Sequence, residues 1–105
     1  MKDVFLSQDE KRLLRIFKAL SNPIRYRMVR YMVEHPYCIT GDLVDFADLA
    51  QSTVSQHLKV LREAGIVCGE IEGPARSYCL DLEALEWFRR QVDEMAFELA
   101  EAACC

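Results

Sequence analysis

The apolar residues of this chain repeat at helical spacing along most of its length, and that spacing is interrupted once. Four helical segments precede two short β-prone runs, IVCGEIE and RSYCLD, which are separated by the turn-forming residues GPA. Helical spacing then returns from Leu82. The predicted order is therefore four helices, a two-stranded hairpin and a last helix, which makes a mainly α fold with a small β-hairpin.

Capping and turn residues mark the ends of the first two helices. The first is predicted from about Asp9 to Leu20. Asn22 followed by Pro23 predicts the start of the second, because the amide can cap the helix and proline has no N–H to leave unsatisfied in the first turn. The dipeptide of His35 and proline is expected to end it.

Two closely spaced helices in the middle of the chain fit a helix-turn-helix. Thr40 is predicted to cap the first of them, a short helix whose apolar face includes Leu43 and Phe46. The second follows a break near Leu49, reads QSTVSQHLKVLREAG and stops at Gly65. In such a pair the second helix enters the major groove of DNA, so its outer face is the candidate binding surface.

The outer face of this fourth helix carries groups that hydrogen-bond to bases or phosphates. At 100° per residue, Val54, Leu58 and Leu61 face inward. The residues predicted to point outward are Ser52, Gln56, Lys59 and Glu63, with Thr53 and Ser55 on the flanks. Side chains of these types contact base edges and phosphates. An amphipathic helix with an ordinary solvated face is the alternative, which periodicity alone does not exclude.

The charges of the chain are segregated. The net charge is −4, yet residues 1 to 30 hold eight lysines and arginines against three acidic residues. Attraction of phosphate depends on the local potential within a Debye length of about 8 to 10 Å, so an acidic protein can still present one basic face. The alternative is a solvated, charged helix face.

Length and composition predict the class of protein. A chain of 105 residues is expected to form one domain, residues 1–105. No apolar run approaches the ~18 residues of a membrane span, and MKDVFLSQDEKR has acids where a secretion signal is apolar. We therefore expect a cytoplasmic protein with no membrane partner. Five cysteines in that setting favour metal-binding or redox thiols over disulfides.

Three segments together resemble the ArsR/SmtB-type winged-helix repressors: LSNPIRYRMVRYMV, LAQSTVSQHLKVLREAGIV and CGEIEGPARSYCLD. The resemblance extends from about Leu13 to Leu99. It implies a winged helix-turn-helix domain that forms a homodimer through its first and last helices, with residues 82–105 as dimerisation helix and cysteine tail. It also implies that the dimer represses transcription on double-stranded operator DNA until an inducing ion or oxidant binds.

The same resemblance implies a set of DNA-binding residues. They are Gln51, Ser52, Thr53, Ser55, Gln56, His57 and Lys59 in the recognition helix, and Arg76 in a wing whose tip is near Gly73 to Arg76. The family often has Ser where Ala50 stands, so Ser52 or the Gln51 amide is expected to supply the missing cap. His57 lies about 60° from Val54 on the helix, and we therefore expect it to be packed and hydrogen-bonded.

The positions of the cysteines indicate the inducer. The Cys-x-Cys before Asp-Leu of the commonest arsenic sensors is absent, because Ile39 and Gly41 occupy those positions and Cys38 lies one residue outside. The adjacent Cys104 and Cys105 resemble the family's other arrangement, a thiol group after the last helix. Thiolates select thiophilic ions. The predicted inducer is trivalent arsenic or antimony, as arsenite, methylarsenite or antimonite, with no obligatory cofactor.

Several alternatives stay open at this point. Cys38, Cys68 or Cys79 can supply a third thiol within one chain or from a partner, although Cys68 and Cys79 are expected to be small buried apolar side chains in their strands. A redox-sensing repressor of the same fold is the alternative function, but the negative end of the last helix, near Glu98 and Glu101, opposes thiolate formation at the tail. A frayed tail is a further alternative. No nucleophile and base are placed to suggest an enzyme.

Overall fold

The order of elements agrees with the predicted one and adds one strand. The structure is a computed structural model that describes residues 5–69 and 77–105. Its helices and strands are α1 Gln8–Leu20, α2 Pro23–Glu34, β1 Cys38–Ile39, α3 Thr40–Ala47, α4 Gln51–Glu63, β2 Val67–Gly69, β3 Ser77–Leu80 and α5 Leu82–Ala102. The prediction of a mainly α fold with a small β-hairpin is confirmed.

The strands form one antiparallel sheet in the order β1-β3-β2. In the hairpin, Cys68 of β2 lies opposite Cys79 of β3. On the other side of β3, Cys38 of β1 lies opposite Tyr78. β1 was not predicted because two residues are too few to show an alternating pattern, and its partner strand is about 40 positions away in the sequence. The predicted GPA turn lies outside the described residues.

Side-chain caps fix the beginnings of α1 and α2. The Asn22 Oδ1 atom accepts hydrogen bonds from the N–H groups of Ile24 at 2.9 Å and Arg25 at 3.1 Å, which confirms the predicted cap. At the start of α1, Ser7 and Glu10 form a reciprocal capping box in which each side chain accepts from the other residue's N–H.

The predicted cap of α3 is wrong by one residue. The N-cap is Ile39, whose N–H donates to the Asp42 carboxylate at 3.0 Å. Thr40 is instead the first helical residue, and its hydroxyl is buried without a hydrogen-bond partner among the described residues. The physical reason is β1, because pairing of Ile39 with Ser77 keeps Ile39 extended and the helix begins directly after it.

The hydrophobic core lies where α4 meets the other helices and β2. Its largest fully buried side chains are Ile16, Met28, Leu43, Val54, Leu58, Leu61 and Ile66. Burial of one such side chain contributes about 1.5 to 3 kcal/mol. The three inward-facing positions predicted for α4 all belong to this set, so the predicted orientation of the helix is confirmed.

An arginine of α2 contacts a histidine of α4. The Arg25 Nη1 atom lies 3.4 Å from His57 Nδ1, and Arg25 Nε donates to the Ala19 carbonyl at 2.7 Å. Burial, followed by the positive charge of Arg25, lowers the pKa of His57. A neutral ring with its proton on Nε2 accepts the Arg25 hydrogen bond, so the expected packed, hydrogen-bonded role of His57 is confirmed.

The first half of α5 packs on the body, and its second half lies beside α1 as far as Glu98. The Asp81 carboxylate caps the helix by accepting from the Ala84 N–H at 2.9 Å. The Phe88 ring meets Phe17 of α1 edge to face, with centroids 5.4 Å apart. From residue 96 onward every side chain is exposed. No helix among the described residues has the combined length and apolarity needed to cross a membrane.

Replacing Asn22 with Ala is expected to lower the free energy of unfolding by about 1 kcal/mol, because two N–H groups lose their acceptor. Chemical denaturation at fixed protein concentration measures the change. Asn22→Asp is the matched control, since it keeps an acceptor oxygen and should lose much less. Equal losses in the two variants would contradict a capping role.

His57 is expected to make stability depend on pH. Because its pKa is lower in the folded state, the unfolded chain binds more protons as the pH falls through the ordinary histidine range, near 6.5. The free energy of unfolding should therefore fall between pH 7.5 and 5.5, and His57→Gln should reduce that slope. Denaturation curves at several pH values test this, with His35→Gln as the control. An unchanged slope in His57→Gln would refute the prediction.

Candidate nucleic-acid interface

A three-residue break joins α3 to α4. Asp48 adopts the left-handed conformation, with φ 54° and ψ 46°, and its N–H donates to the Val44 carbonyl at 2.9 Å. Leu49 is half-buried, and Ala50 is extended before α4 begins at Gln51. This short connection fixes α4 against α3 and gives the pair the arrangement of a helix-turn-helix.

One face of α4 is open to solvent along its whole length. Ser52, Gln56, Lys59 and Glu63 are all exposed, and the flanking Thr53 and Ser55 are half-buried, as predicted. Lys59 Nζ lies 4.0 Å from Glu63 Oε1, and both side chains are largely exposed. An ion pair of this kind contributes about 0 to 1 kcal/mol, so it leaves the ammonium group available to another anion.

The first turn of α4 has no side-chain cap. The N-cap residue is Ala50, and the compensating bond expected from Ser52 or the Gln51 amide is absent from the described residues. The Ala50 carbonyl accepts from the N–H groups of Thr53 and Val54 at 3.0 and 3.1 Å. The preceding N–H groups of the first turn have no acceptor within the helix, and such groups bind phosphate readily.

The remaining predicted DNA-binding residues occupy different surroundings. Gln51 is exposed at the beginning of α4. His57 is half-buried and contacts Arg25, so it does not extend the exposed row formed by its neighbours. Arg76 and the predicted wing tip from Gly73 lie outside the described residues.

Basic residues of the first helices lie beside the second half of α4. Arg15, Lys18 and Arg25 line a shallow depression together with Val60 and Glu63. The fold therefore places part of the basic first third of the sequence next to the candidate recognition helix. Sequence reasoning found the charge segregation, but the position of these cations relative to α4 depends on how α1 and α4 pack.

The cysteines predicted as metal ligands lie at the end of the chain. Cys104 and Cys105 are exposed and follow α5, which ends at Ala102. Cys38, by contrast, is 4% exposed, and its burial, followed by the charge of Asp42, raises the pKa of its thiol. The described residues contain no cluster of three or more His, Cys, Asp and Glu side chains gathered for a metal ion.

The two hairpin cysteines face each other. The Sγ atoms of Cys68 and Cys79 are 3.2 Å apart. The expectation that both are buried apolar side chains is wrong, because Cys68 is exposed and Cys79 is half-buried. Side chains alternate along β2, and Val67 takes the inward position, so Cys68 lies on the outer face of the sheet. Alternation in the sequence was visible, but not which phase faced the core.

Two comparisons of sequence place this fold among known regulators. Residues 22–68 match the family described as bacterial regulatory protein, arsR family. The HTH-type transcriptional repressor SmtB of Mycobacterium tuberculosis is 41% identical over 58 residues, which cover 55% of this chain and 42% of SmtB. The HTH-type transcriptional regulator Rv2034 of the same species is 34% identical over 79 residues, covering 75% of this chain and 73% of that protein.

A solved structure gives the same result. The crystal structure of a possible transcriptional regulator for arsenical resistance is 28% identical, has a TM-score of 0.66 and covers 86% of this chain and 97% of that one. The chain spans less than half the length of SmtB, but it spans most of Rv2034. The helix-turn-helix, the three-stranded sheet and these likenesses agree, and the protein belongs to the arsR family of bacterial transcriptional regulators.

Proposed function

We propose that this protein is a homodimeric repressor that binds double-stranded operator DNA through α4 and is released when a trivalent arsenical binds the thiols of Cys104 and Cys105. The observation that carries the proposal is the exposed polar row of α4 above its buried apolar face. The relative SmtB is a transcriptional repressor, which supports the same role for this protein.

The exposed row of α4 suits the major groove. A glutamine side-chain amide can form two hydrogen bonds to one adenine, at N6 and at N7. Gln56 is therefore the candidate for reading a base. Lys59 and the uncapped first turn of α4 are suited to phosphates, which position the protein without reading sequence. Arg15 and Lys18 beside α4 add positive potential on the same side of the molecule.

The homodimer is proposed from the uncovered apolar side chains of α1 and α5. Leu14 is 48% exposed and Leu99 63%. Other apolar side chains of these two helices already pack partly inside their own chain, namely Leu20, Leu85 and Phe88. A second copy that covers the two helices would bury the rest, and a two-fold dimer places its two recognition helices about one turn of DNA apart.

The arsenical site is proposed at the tail because both thiols there are exposed and adjacent. The 21 residues of α5 span about 32 Å, so Cys79 of the same chain lies far from Cys104. Cys38 is buried in the core. Two thiols satisfy a singly methylated arsenical, and a third for arsenite would come from the partner chain. The likeness to a possible regulator for arsenical resistance supports this choice.

An arsenical bound at the tail lowers the affinity for DNA only if its own affinity differs between the DNA-bound and the released dimer. The arsenical must bind more tightly to the released dimer than to the DNA-bound one. A coupling free energy of about 1 to 3 kcal/mol, equivalent to roughly 5- to 150-fold in affinity, is enough to switch occupancy of an operator.

Gln56→Ala is expected to weaken binding to an inverted-repeat operator by about 1 to 3 kcal/mol and to reduce discrimination against mutated repeats. Titrations of labelled duplexes at physiological salt measure both effects. Lys59→Ala is the comparison, because loss of a phosphate contact should weaken binding to all duplexes alike. If the wild-type protein shows no preference for any inverted repeat over random duplex, DNA reading by α4 is refuted.

Val92 lies two helical turns before Leu99, on the same face of α5. Val92→Asp is expected to convert the dimer to a monomer, because it places an unpaired carboxylate in the proposed interface at a cost of several kcal/mol. Sedimentation at micromolar concentration measures the mass. Arg90→Asp is the matched control, since Arg90 is exposed and lies opposite Val92 on α5. A wild-type monomer at this concentration would contradict the dimer.

The double variant Cys104→Ser, Cys105→Ser should bind the operator as well as wild type but should no longer be released by arsenite or methylarsenite. Cys38→Ser is the control and should be released normally. The same assay with peroxide separates the redox alternative, which requires release by the oxidant. If the tail variant is released by arsenicals as readily as wild type, the sensor lies elsewhere.

A further inference from the structure

The outer face of the sheet presents two sulfur atoms at contact distance. Cys68 and Cys79 occupy directly opposed positions of β2 and β3, and their Sγ atoms lie 3.2 Å apart. The Cys68 thiol also lies 3.5 Å from the carbonyl oxygen of Cys79. Strand pairing holds both backbones, so the two sulfurs are brought together without any ligand.

The sulfur pair opens onto a shallow depression of about 310 Å³. Tyr37, Gly69 and Ser77 complete its lining, and Tyr37 is 73% exposed. Tyr37 holds a positive φ of 62°, an uncommon conformation for an aromatic residue. The depression therefore combines two soft ligands with an accessible apolar ring at its edge.

The two sulfurs are close enough for one thiophilic centre to bind both of them. Metal–thiolate bonds are about 2.3 Å long, which separates two sulfurs by about 3.8 Å around a tetrahedral ion and about 4.6 Å around a linear one. Bonds at nearly right angles give about 3.3 Å for the same bond length. The 3.2 Å contact between the two thiols is shorter than all three separations and is nearest to the last, which is that of a trivalent pyramidal centre carrying a lone pair.

A third sulfur of the same chain is on the wrong side of the sheet. Cys38 lies opposite Tyr78, whose side chain is buried, and its thiol approaches the Tyr78 carbonyl oxygen at 3.9 Å. Residues 78 and 79 point to opposite faces of β3, so Cys38 belongs to the inner face and the Cys79 thiol to the outer one. The outer face offers two thiols, which leaves one valence of a trivalent centre for an organic substituent.

We propose that Cys68 and Cys79 form a second dithiol site, specific for trivalent arsenicals that carry one organic group. An arsonous acid, R–As(OH)₂, exchanges both hydroxyl groups for the two thiols. Two As–O bonds break, two As–S bonds form, and the hydroxyl groups leave with the thiol protons as two molecules of water. Arsenic stays trivalent throughout. The organic group lies in the depression against the Tyr37 ring.

This site is independent of the tail thiols and does not rest on the proposed function. The test uses the reduced 105-residue chain with Cys104→Ser and Cys105→Ser and one equivalent of phenylarsine oxide. The As=O group of this reagent reacts with two thiols and releases one water. Mass spectrometry should show one phenylarsenic group per chain. Trypsin should then yield residues 63–76 and 77–89 as a pair of peptides joined by arsenic, because cleavage after Arg76 separates the two cysteines.

Single substitutions provide the controls. Cys68→Ser and Cys79→Ser, each added to the tail variant, should weaken phenylarsine oxide binding at least tenfold, because one thiol cannot chelate. Cys38→Ser in the same background should bind unchanged. An adduct that persists in either hairpin variant, or that maps to Cys38, overturns the site. The converse variant, Cys68→Ser and Cys79→Ser with Cys104 and Cys105 unchanged, measures arsenical binding at the proposed inducer site alone.

Discussion

Burial of Val54, Leu58 and Leu61 is the interaction on which the rest of the structure depends. These side chains of α4 reach the core formed with α1, α2, α3 and the entrance to β2. Because they occupy one side of the helix, the other side is held outward over nearly four turns. The polar row that we propose to contact DNA is therefore a consequence of the core, and the Arg25–His57 contact secures the same helix at its half-buried edge.

Much of this arrangement was predictable because it depends on local sequence. Helical spacing, the cap at Asn22 and the stop at Gly65 act within a few residues of one another, and a helix projection was enough to orient α4. The same projection predicted which polar residues lie on its outer face. Cys104 and Cys105 were predicted as ligands only because they are adjacent in the sequence. Their position after α5 adds no further ligand to the pair within the described part of the chain.

The features that sequence reasoning missed depend on contacts between distant residues. β1 forms because Cys38 and Ile39 pair with β3, which lies about 40 residues later in the sequence. That pairing also makes Ile39, and not Thr40, the N-cap of α3. The exposure of Cys68 follows from the register of β2 against β3. In each case local propensity permitted more than one outcome, and tertiary pairing selected among them.

The passage from β3 to α5 joins the beginning of the last helix to the end of α4. Asp81 is the single residue between them; its N–H donates to the Ile66 carbonyl at 3.0 Å, while its carboxylate caps α5. Ile66 in turn follows closely on the end of α4. The Phe88 ring, two turns into α5, is held by Phe17 of α1. The beginning of α5 is therefore tied both to α1 and to the chain that leaves α4, so a shift in its packing is carried to the end of the helix that faces DNA in our proposal.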